Sequence, residues 1–108
     1  MRERCLIAVY MMTNKPYGTL YTGVTSDLYT RVPQHRDGVF GGFTSKWGLT
    51  RLVWYETHET MAAAIAREKQ VKRYRRDWKT NLIERDNPRW DDLYRSLINP
   101  PVVWRHDP

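Results

Sequence analysis

The sequence has few metal-binding side chains and no long apolar run. Cys5 is the only cysteine, which excludes an intramolecular disulfide framework and a cysteine-rich zinc site. The histidines, His35, His58 and His106, do not have the spacing of metal ligands. The longest uncharged apolar run, residues 5–12, is far shorter than the ~20 residues that span a bilayer. We therefore expect a protein of the reducing cytoplasm that has no membrane partner.

The length and charge of the chain limit its organisation and its partners. A chain of 108 residues suffices for one compact core. We expect a single domain over residues 1–98 and a loose tail over residues 99–108, because Asn99-Pro100-Pro101 stops the last helix. The net charge of +6 and the pI of about 9.7 favour a polyanionic partner. Many small basic domains are merely soluble, so charge alone leaves the partner open.

Two short strands are predicted at the start of the chain. Residues 5–12 favour a buried strand, residues 13–18 supply turn residues, and residues 19–25 alternate between apolar and other side chains. If Met12 pairs with Thr19, Tyr10 lies directly opposite Tyr21 on one face. A slip of one residue would turn one of the two rings away.

A helix is predicted from a cap at residues 25–27 to Gly38, with Arg31 and His35 as an i,i+4 pair. Pro33 within it removes a hydrogen bond at a cost of ~3 kcal/mol, so we expect a kink, a late start or an early end. A loop over residues 38–48 and a third strand over residues 51–57 follow.

The second half of the chain is predicted to be helical. A helix begins at Thr57 or Thr60 and continues past a bend near Arg75, and a last helix runs from Pro88 to Ile98. On the helical wheel Glu68 lies within an apolar face formed by Met61, Ala64, Ile65 and Val71. A salt bridge to Lys72 would explain this carboxylate. Its place on the apolar face argues against that, since a buried carboxylate is costly unless something binds it, and a divalent metal would do so, because Mg²⁺ is typically held by one or two carboxylates, water and phosphate.

Four further side chains have both a catalytic and a structural interpretation. Tyr10 and Tyr21 are ordinary strand aromatics unless cations or hydrogen bonds stabilise a phenolate. Arg31 is either a solvated helix residue or the group that supplies this charge or holds a phosphate. His35 is either a surface histidine or a proton shuttle near neutral pH.

A dense run of cations lies between residues 67 and 79. Tyr74 and Trp78 are interleaved with it, which favours a track for a phosphate backbone over a merely solvated face. With Arg67 at its start, the run comprises Lys69, Lys72, Arg73, Arg75, Arg76 and Lys79. These six residues are our candidate nucleic-acid contacts.

Several strings in fixed order carry a family resemblance that covers about residues 5–95. They are Val9-Tyr10, Tyr21-Thr22-Gly23-Val24-Thr25, Leu28-x-x-Arg31-x-x-x-His35, Phe43-Thr44, Leu52-Val53-Trp54-Tyr55-Glu56, Arg67-Glu68-Lys69 and Asn87-Pro88-x-Trp90. Together they resemble the GIY-YIG nuclease superfamily. The resemblance is to its small stand-alone bacterial branch, similar to the N-terminal domain of the excinuclease C subunit.

The resemblance implies an α+β fold, a three-stranded antiparallel sheet flanked by helices, and Mg²⁺- or Mn²⁺-dependent cleavage of DNA without a small-molecule cofactor. By position, Tyr10 and Tyr21 would position or activate the attacking water, and which of them is the base stays open. Arg31 would stabilise the transition state, His35 would assist proton transfer, and Glu68 would bind the metal.

The sequence departs from the family pattern at a few positions. Ala8-Val9-Tyr10 stands in place of G-I-Y, Thr22 replaces an isoleucine, and Val24 stands where some members have a catalytic lysine. Pro33 falls within the spacing between the arginine and the histidine. These departures leave every named catalytic group in place, but Val24 and Pro33 would lower activity or narrow the substrate range.

The leading hypothesis is therefore an endonuclease that hydrolyses DNA phosphodiester bonds in repair or processing. Without a second recognition domain, we expect broad or structure-selective cleavage, with RNA still open as a substrate. The alternative is a non-catalytic nucleic-acid-binding module on the same fold. A third hypothesis is a protein-interaction domain that uses exposed Trp and Tyr side chains.

Overall fold

The structure is a computed structural model of the chain, and it describes residues 5–38 and 47–98. Most of the predicted loop at 38–48, with Phe40 and Phe43, lies outside the described residues, as does the predicted tail at 99–108. None of the helices in the described ranges is long and apolar enough to cross a membrane.

Three antiparallel strands form the sheet. They are β1 (Ala8–Thr13), β2 (Leu20–Thr25) and β3 (Arg51–Thr57), and their order in the sheet is β2-β1-β3. The central strand, β1, is buried along its whole length, whereas β2 is an edge strand that is partly exposed. The predicted α+β fold with a three-stranded antiparallel sheet is thus confirmed, and β3 has the predicted bounds.

Within residues 5–38 and 48–98, four helices accompany the sheet: α1 (Leu28–Arg36), α2 (Met61–Lys72), α3 (Arg76–Asp86) and α4 (Tyr94–Ile98). The break between α2 and α3 lies at the predicted bend. The side chain of Thr60 accepts a hydrogen bond from the Ala63 amide at 3.1 Å, which confirms Thr60 as the cap of α2. Ile65 was predicted to face the core but is exposed, because α2 turns a narrower stripe toward the sheet.

The alternation of β1 gives the sheet two differently covered faces. Val9 and Met11 pack on one face with Ala64, Val71 and Ile83, which belong to α2 and α3. Tyr10 and its neighbours on the opposite face pack with residues of α1, Leu28 and Val32, and with residues of α4 and the segment before it, which are Leu93, Tyr94 and Leu97. The predicted catalytic tyrosines therefore lie on one face of the sheet, and the helix that carries Glu68 packs on the other face.

The predicted last helix is wrong in its first half, since α4 begins only at Tyr94. Trp90 is fully buried with a φ of 58°, a left-handed conformation that interrupts a helix. The buried amide of Asn87 donates to the carbonyl oxygens of Val53, at 3.1 Å, and Asp91, at 2.9 Å, and accepts from the Asp91 amide at 3.0 Å. These tertiary hydrogen bonds hold residues 87–91 as a turn against β3.

Pro33 lies inside α1, which neither starts late nor ends early. Proline has no amide hydrogen, so the carbonyl of Tyr29 one turn earlier loses its helical donor. The hydroxyl of Tyr94 in α4 donates to that carbonyl at 3.4 Å.

The Arg36 guanidinium carbon lies 4.9 Å from the centroid of the Tyr94 ring, and Arg36 also forms an ion pair with Asp92. The segment at 92–94 thus compensates for the proline and fixes α1 in place.

Replacing Tyr94 by Phe should lower the free energy of unfolding by about 0.5–1.5 kcal/mol, because the Tyr29 carbonyl loses its donor. In a Pro33→Ala background the same replacement should cost less, since the amide of residue 33 can then serve that carbonyl. Urea unfolding of the four proteins of this double-mutant cycle measures the coupling. Strict additivity of the two changes would contradict the compensation.

Candidate active site

Tyr10 and Tyr21 lie on the same face of the β1–β2 hairpin. In the register of the hairpin Tyr10 is opposite Gly23, and Tyr21 is opposite Met12. The predicted pairing of Met12 with Thr19 is therefore wrong by two residues. A shift of two residues keeps every side chain on its face, so the prediction of a shared face is confirmed. The two ring centroids are 6.2 Å apart.

Gly23 leaves the space that the Tyr10 ring occupies. A Cβ atom at this position would lie 2.6 Å from the Tyr10 hydroxyl oxygen and 2.9 Å from Cε2 of Tyr21, closer than side-chain contacts allow. A glycine inside a strand often marks such a close approach. Gly23 was not among the predicted site residues, although the string Tyr21-Thr22-Gly23 contained this signal.

His35 joins the tyrosine pair from α1. Its Nε2 atom is 2.8 Å from the hydroxyl oxygen of Tyr10. The centroid of its ring is 5.6 Å from that of Tyr10 and 5.4 Å from that of Tyr21. The three rings therefore form one compact group, which we call the tyrosine–histidine cluster.

The electrostatics of the cluster keep both partners of its central hydrogen bond uncharged. Burial, followed by the nearby Arg31 guanidinium, lowers the pKa of His35, so the imidazole is neutral near pH 7. Burial, followed by the neighbouring Tyr21, raises the pKa of Tyr10, and Arg31 offsets only part of this increase. The Tyr10 hydroxyl therefore remains protonated, and its hydrogen bond with Nε2 of His35 joins two uncharged groups.

The members of the site differ in their access to solvent. Tyr10 is 0% exposed and His35 is 4% exposed, whereas Tyr21 and Arg31 are only partly buried. The difference follows from the sheet, because Tyr10 is in its central strand and Tyr21 is in its edge strand. A substrate can thus reach Tyr21 and Arg31, with Tyr10 and His35 behind them.

Glu68 lies on α2 and is buried between Ala64 and Val71, as its spacing predicted. Its carboxylate forms a salt bridge to the ammonium group of Lys72 at 2.5 Å. The helix packs chiefly along β2 and secondly along β1, but its apolar residues cover the face of the sheet opposite Tyr10. The structure brings Tyr10, Tyr21, Arg31 and His35 together, and it places Glu68 across the edge strand from them.

The donor set around Glu68 is compatible with one type of metal site. Among the residues that the structure describes, no group of three His, Cys, Asp or Glu side chains could hold an ion. A single carboxylate that is 11% exposed in its side chain could still bind Mg²⁺ or Mn²⁺ whose other ligands are water and substrate phosphate. Such an ion would have to displace Lys72.

The basic residues divide into three groups. Lys69 and Arg73 are exposed, and Arg75 forms an exposed ion pair with Asp77. Lys79 has its pKa lowered by burial and then by the nearby cations of Arg76 and Lys72, so these three charges lie close together. The Arg76 guanidinium also donates to the Gly18 carbonyl at 2.6 Å.

Arg67, the first cation of the run, has a structural role. Its Nε atom donates to the Glu56 carboxylate at 2.9 Å, and its Nη1 atom donates to the Tyr74 hydroxyl at 3.2 Å. Arg67 was not among the six predicted nucleic-acid contacts. Its bonds to Glu56 and Tyr74 explain why its side chain is turned toward the protein.

The lowered pKa of His35 predicts how stability depends on pH. An unfolded histidine binds a proton near pH 6.5, whereas folded His35 does so only at lower pH, so protonation favours unfolding. The free energy of unfolding should fall as the pH drops below about 6.5, by at most about 1.4 kcal/mol per pH unit from this group. Unfolding of the wild type at pH 5 to 8 measures this dependence.

His35→Gln should flatten this pH dependence, whereas His58→Gln is the matched control, because His58 pairs with Glu56 and lies outside the cluster. A His35 ring that titrates at or above pH 6.5 in an NMR titration would contradict the prediction.

The comparisons with known proteins agree with this architecture. The family model described as the GIY-YIG catalytic domain matches residues 6–81. A UPF0213 protein of Haloquadratum walsbyi is 38% identical over 66 residues, which cover 61% of this chain and 74% of that protein. One from Staphylococcus aureus is 37% identical over 67 residues, which cover 62% of this chain and 82% of that protein. The solution NMR structure of a UPF0213 protein from Bacillus halodurans matches with a TM-score of 0.51 and 26% identity, over 83% of this chain and 95% of that one. The chain belongs to the GIY-YIG family, a superfamily of nucleases.

Proposed function

We propose that this protein is a metal-dependent endonuclease that hydrolyses phosphodiester bonds of DNA. The observation that carries the proposal is the hydrogen bond between buried Tyr10 and neutral His35 beneath the accessible side chains of Tyr21 and Arg31. A core that served packing alone would not need a phenol, an imidazole and a guanidinium in contact, because each polar group costs free energy to bury.

Each group has a distinct role in the proposed hydrolysis. A water oxygen forms a bond to phosphorus while one bridging P–O bond breaks, and the leaving oxygen takes up a proton. Tyr21, the more accessible phenol, orients the attacking water, and Arg31 binds the non-bridging oxygens as negative charge develops. Tyr10 and His35 hold Tyr21 in place, and the neutral imidazole of His35 takes up the proton that the water loses through its hydrogen bond with the Tyr10 hydroxyl.

Glu68 is the residue that would hold the divalent ion. When bound, Mg²⁺ or Mn²⁺ supplies Lewis-acid stabilisation of the phosphate and of the leaving oxygen. The α2 residues around Glu68 pack on the face of the sheet opposite to the cluster, so we place the scissile phosphate at the β2 edge of the sheet, which α2 contacts.

The proposed substrate contacts extend from Glu68 along the basic residues. Lys72 and Arg76 are close enough to Lys79 to contribute to the lowering of its pKa, and three neighbouring cations are a natural site for backbone phosphates. Phosphate contacts position a nucleic acid without reading its sequence. We therefore propose broad or structure-selective cleavage of DNA in a cytoplasmic repair or processing role, with RNA as the second candidate substrate.

Cleavage of plasmid, flap and branched DNA tests the proposal. The wild type should cut with Mg²⁺ or Mn²⁺ and stop in EDTA, and Tyr21→Phe or Glu68→Gln should lower the rate about 100-fold or more. Glu59→Gln, which changes an exposed carboxylate one residue before the cap of α2, is the matched control and should cut at the wild-type rate.

Two outcomes would contradict the endonuclease. If Glu68→Gln cuts as fast as the wild type, the activity does not come from this site. If the wild type binds DNA but cuts none of the three substrates with either metal, the chain is a non-catalytic nucleic-acid-binding module on the same fold.

The salt bridge between Lys72 and Glu68 gives a separate prediction about metal affinity. Because Lys72 must leave the carboxylate before an ion can bind, Lys72→Met should raise the affinity for Mn²⁺ about two- to fivefold in the absence of DNA. Lys69→Met, which removes an exposed cation on the same helix, should change it less. Water-proton relaxation during a Mn²⁺ titration measures both, and a lower affinity in Lys72→Met would exclude the competition.

A further inference from the structure

An open groove with aromatic walls lies on α3, apart from the candidate active site. It encloses about 290 Å³ and is lined by Tyr74, Trp78, Asn81, Leu82 and Arg85. The Tyr74 and Trp78 rings meet edge to face with their centroids 5.3 Å apart. Trp78 is 51% exposed, although α3 already buries Ile83 against the sheet. The fold does not require a tryptophan at this position, and an exposed aromatic patch is typical of a binding surface.

The inner wall of the groove is held in place by the fold. Glu56 of β3 binds Arg67 through Nε at 2.9 Å, and Arg67 in turn donates to the Tyr74 hydroxyl at 3.2 Å. The guanidinium carbon of Arg67 is 5.9 Å from the centroid of the Tyr74 ring. The orientation of Tyr74 is therefore set before any ligand arrives, which lowers the entropy cost of binding.

The rim of the groove is cationic. The guanidinium carbon of Arg75 is 5.6 Å from the centroid of the Trp78 ring, and Arg85 lines the other end. Their ion pairs with Asp77, at 3.1 Å, and Asp86, at 3.7 Å, are exposed to water and hence weak, so phosphates can replace these carboxylates. The amide of Asn81 offers both a donor and an acceptor for the edge of a base.

We propose that this groove binds an unpaired base of single-stranded nucleic acid, stacked on Trp78 and flanked by phosphates at Arg75 and Arg85. Aromatic rings that alternate with arginines are the usual means of holding unstacked bases, because every base has a π-face. The groove accommodates a flat ring, whereas a stable protein partner would need about 800 Å² of contact on each side. It shares no residue with the tyrosine–histidine cluster or Glu68, so the proposal goes beyond the hydrolysis proposed above.

Fluorescence anisotropy of a labelled dT12 strand and of a blunt 12-base-pair duplex tests the proposal. Both are titrated with the full chain in EDTA, so the result is independent of cleavage. Trp78→Ala should weaken binding of the single strand about five- to 100-fold and leave the duplex within twofold. Trp78→Phe should recover much of the loss, because a smaller aromatic ring still stacks.

Trp47→Ala is the matched control, because Trp47 is 47% exposed and lies outside the groove. It should bind the single strand like the wild type. Circular dichroism should show an unchanged fold in both alanine variants, since neither side chain belongs to the core.

Three results would overturn the groove as a base-binding site. The first is an unchanged affinity of Trp78→Ala for the single strand, and the second is an equal loss for strand and duplex, which would indicate a general basic surface. The third is a loss of self-association or of a protein contact in Trp78→Ala with nucleic-acid binding intact, which would assign the aromatic pair to a protein partner. A wild type that cuts no DNA would refute the endonuclease and leave this measurement unaffected.

Discussion

The burial of one phenolic hydroxyl determines much of this structure. Tyr10 stands in the middle of the central strand, where water cannot satisfy its hydroxyl, so the fold must supply a partner within the core. Nε2 of His35 is that partner, and it can be so only if α1 lies close against this face of the sheet. The ring in turn needs the space that Gly23 leaves on the neighbouring strand. A glycine in β2, a histidine in α1 and the position of α1 thus follow from a single polar atom.

The sheet separates the two parts of the proposed active site, and this separation gives the edge strand its importance. The tyrosine–histidine cluster lies under α1, whereas Glu68 and its neighbouring cations lie on the helical layer that covers the other face. At β2, which is one of the two edges of the described sheet, the proposed site requires both sets of side chains to approach one ligand. If a further strand paired with the free edge of β2, it would keep the Glu68 carboxylate apart from the phenols of Tyr10 and Tyr21.

Local patterns predicted the faces of this fold better than its pairings. Alternation placed Tyr10 and Tyr21 on one face correctly, because a period of two depends only on the local backbone. The register of the hairpin depends on its turn. There Tyr17 has a φ of 61°, a left-handed conformation that a tyrosine in the sequence does not predict. The last helix was predicted too long because Asn87 bonds to a strand 34 residues away. The burial of Glu68 followed from helical spacing, but the different exposure of the two tyrosines depends on the strand order, which no local pattern contains.

The order of the elements along the chain has a consequence for the nascent protein. The two tyrosines, Arg31 and His35 all precede β3 in the chain, so a ribosome makes them well before α4. Their face of the sheet is closed by Leu93, Tyr94 and Leu97, which are among the last described residues to be made. Until α4 is made, the Tyr29 carbonyl lacks the Tyr94 hydroxyl as its hydrogen-bond donor. The apolar residues of the Tyr10 face also stay in contact with water, and exposed apolar surface favours aggregation. Synthesis of α4 is therefore the step that allows this face of the sheet to be covered.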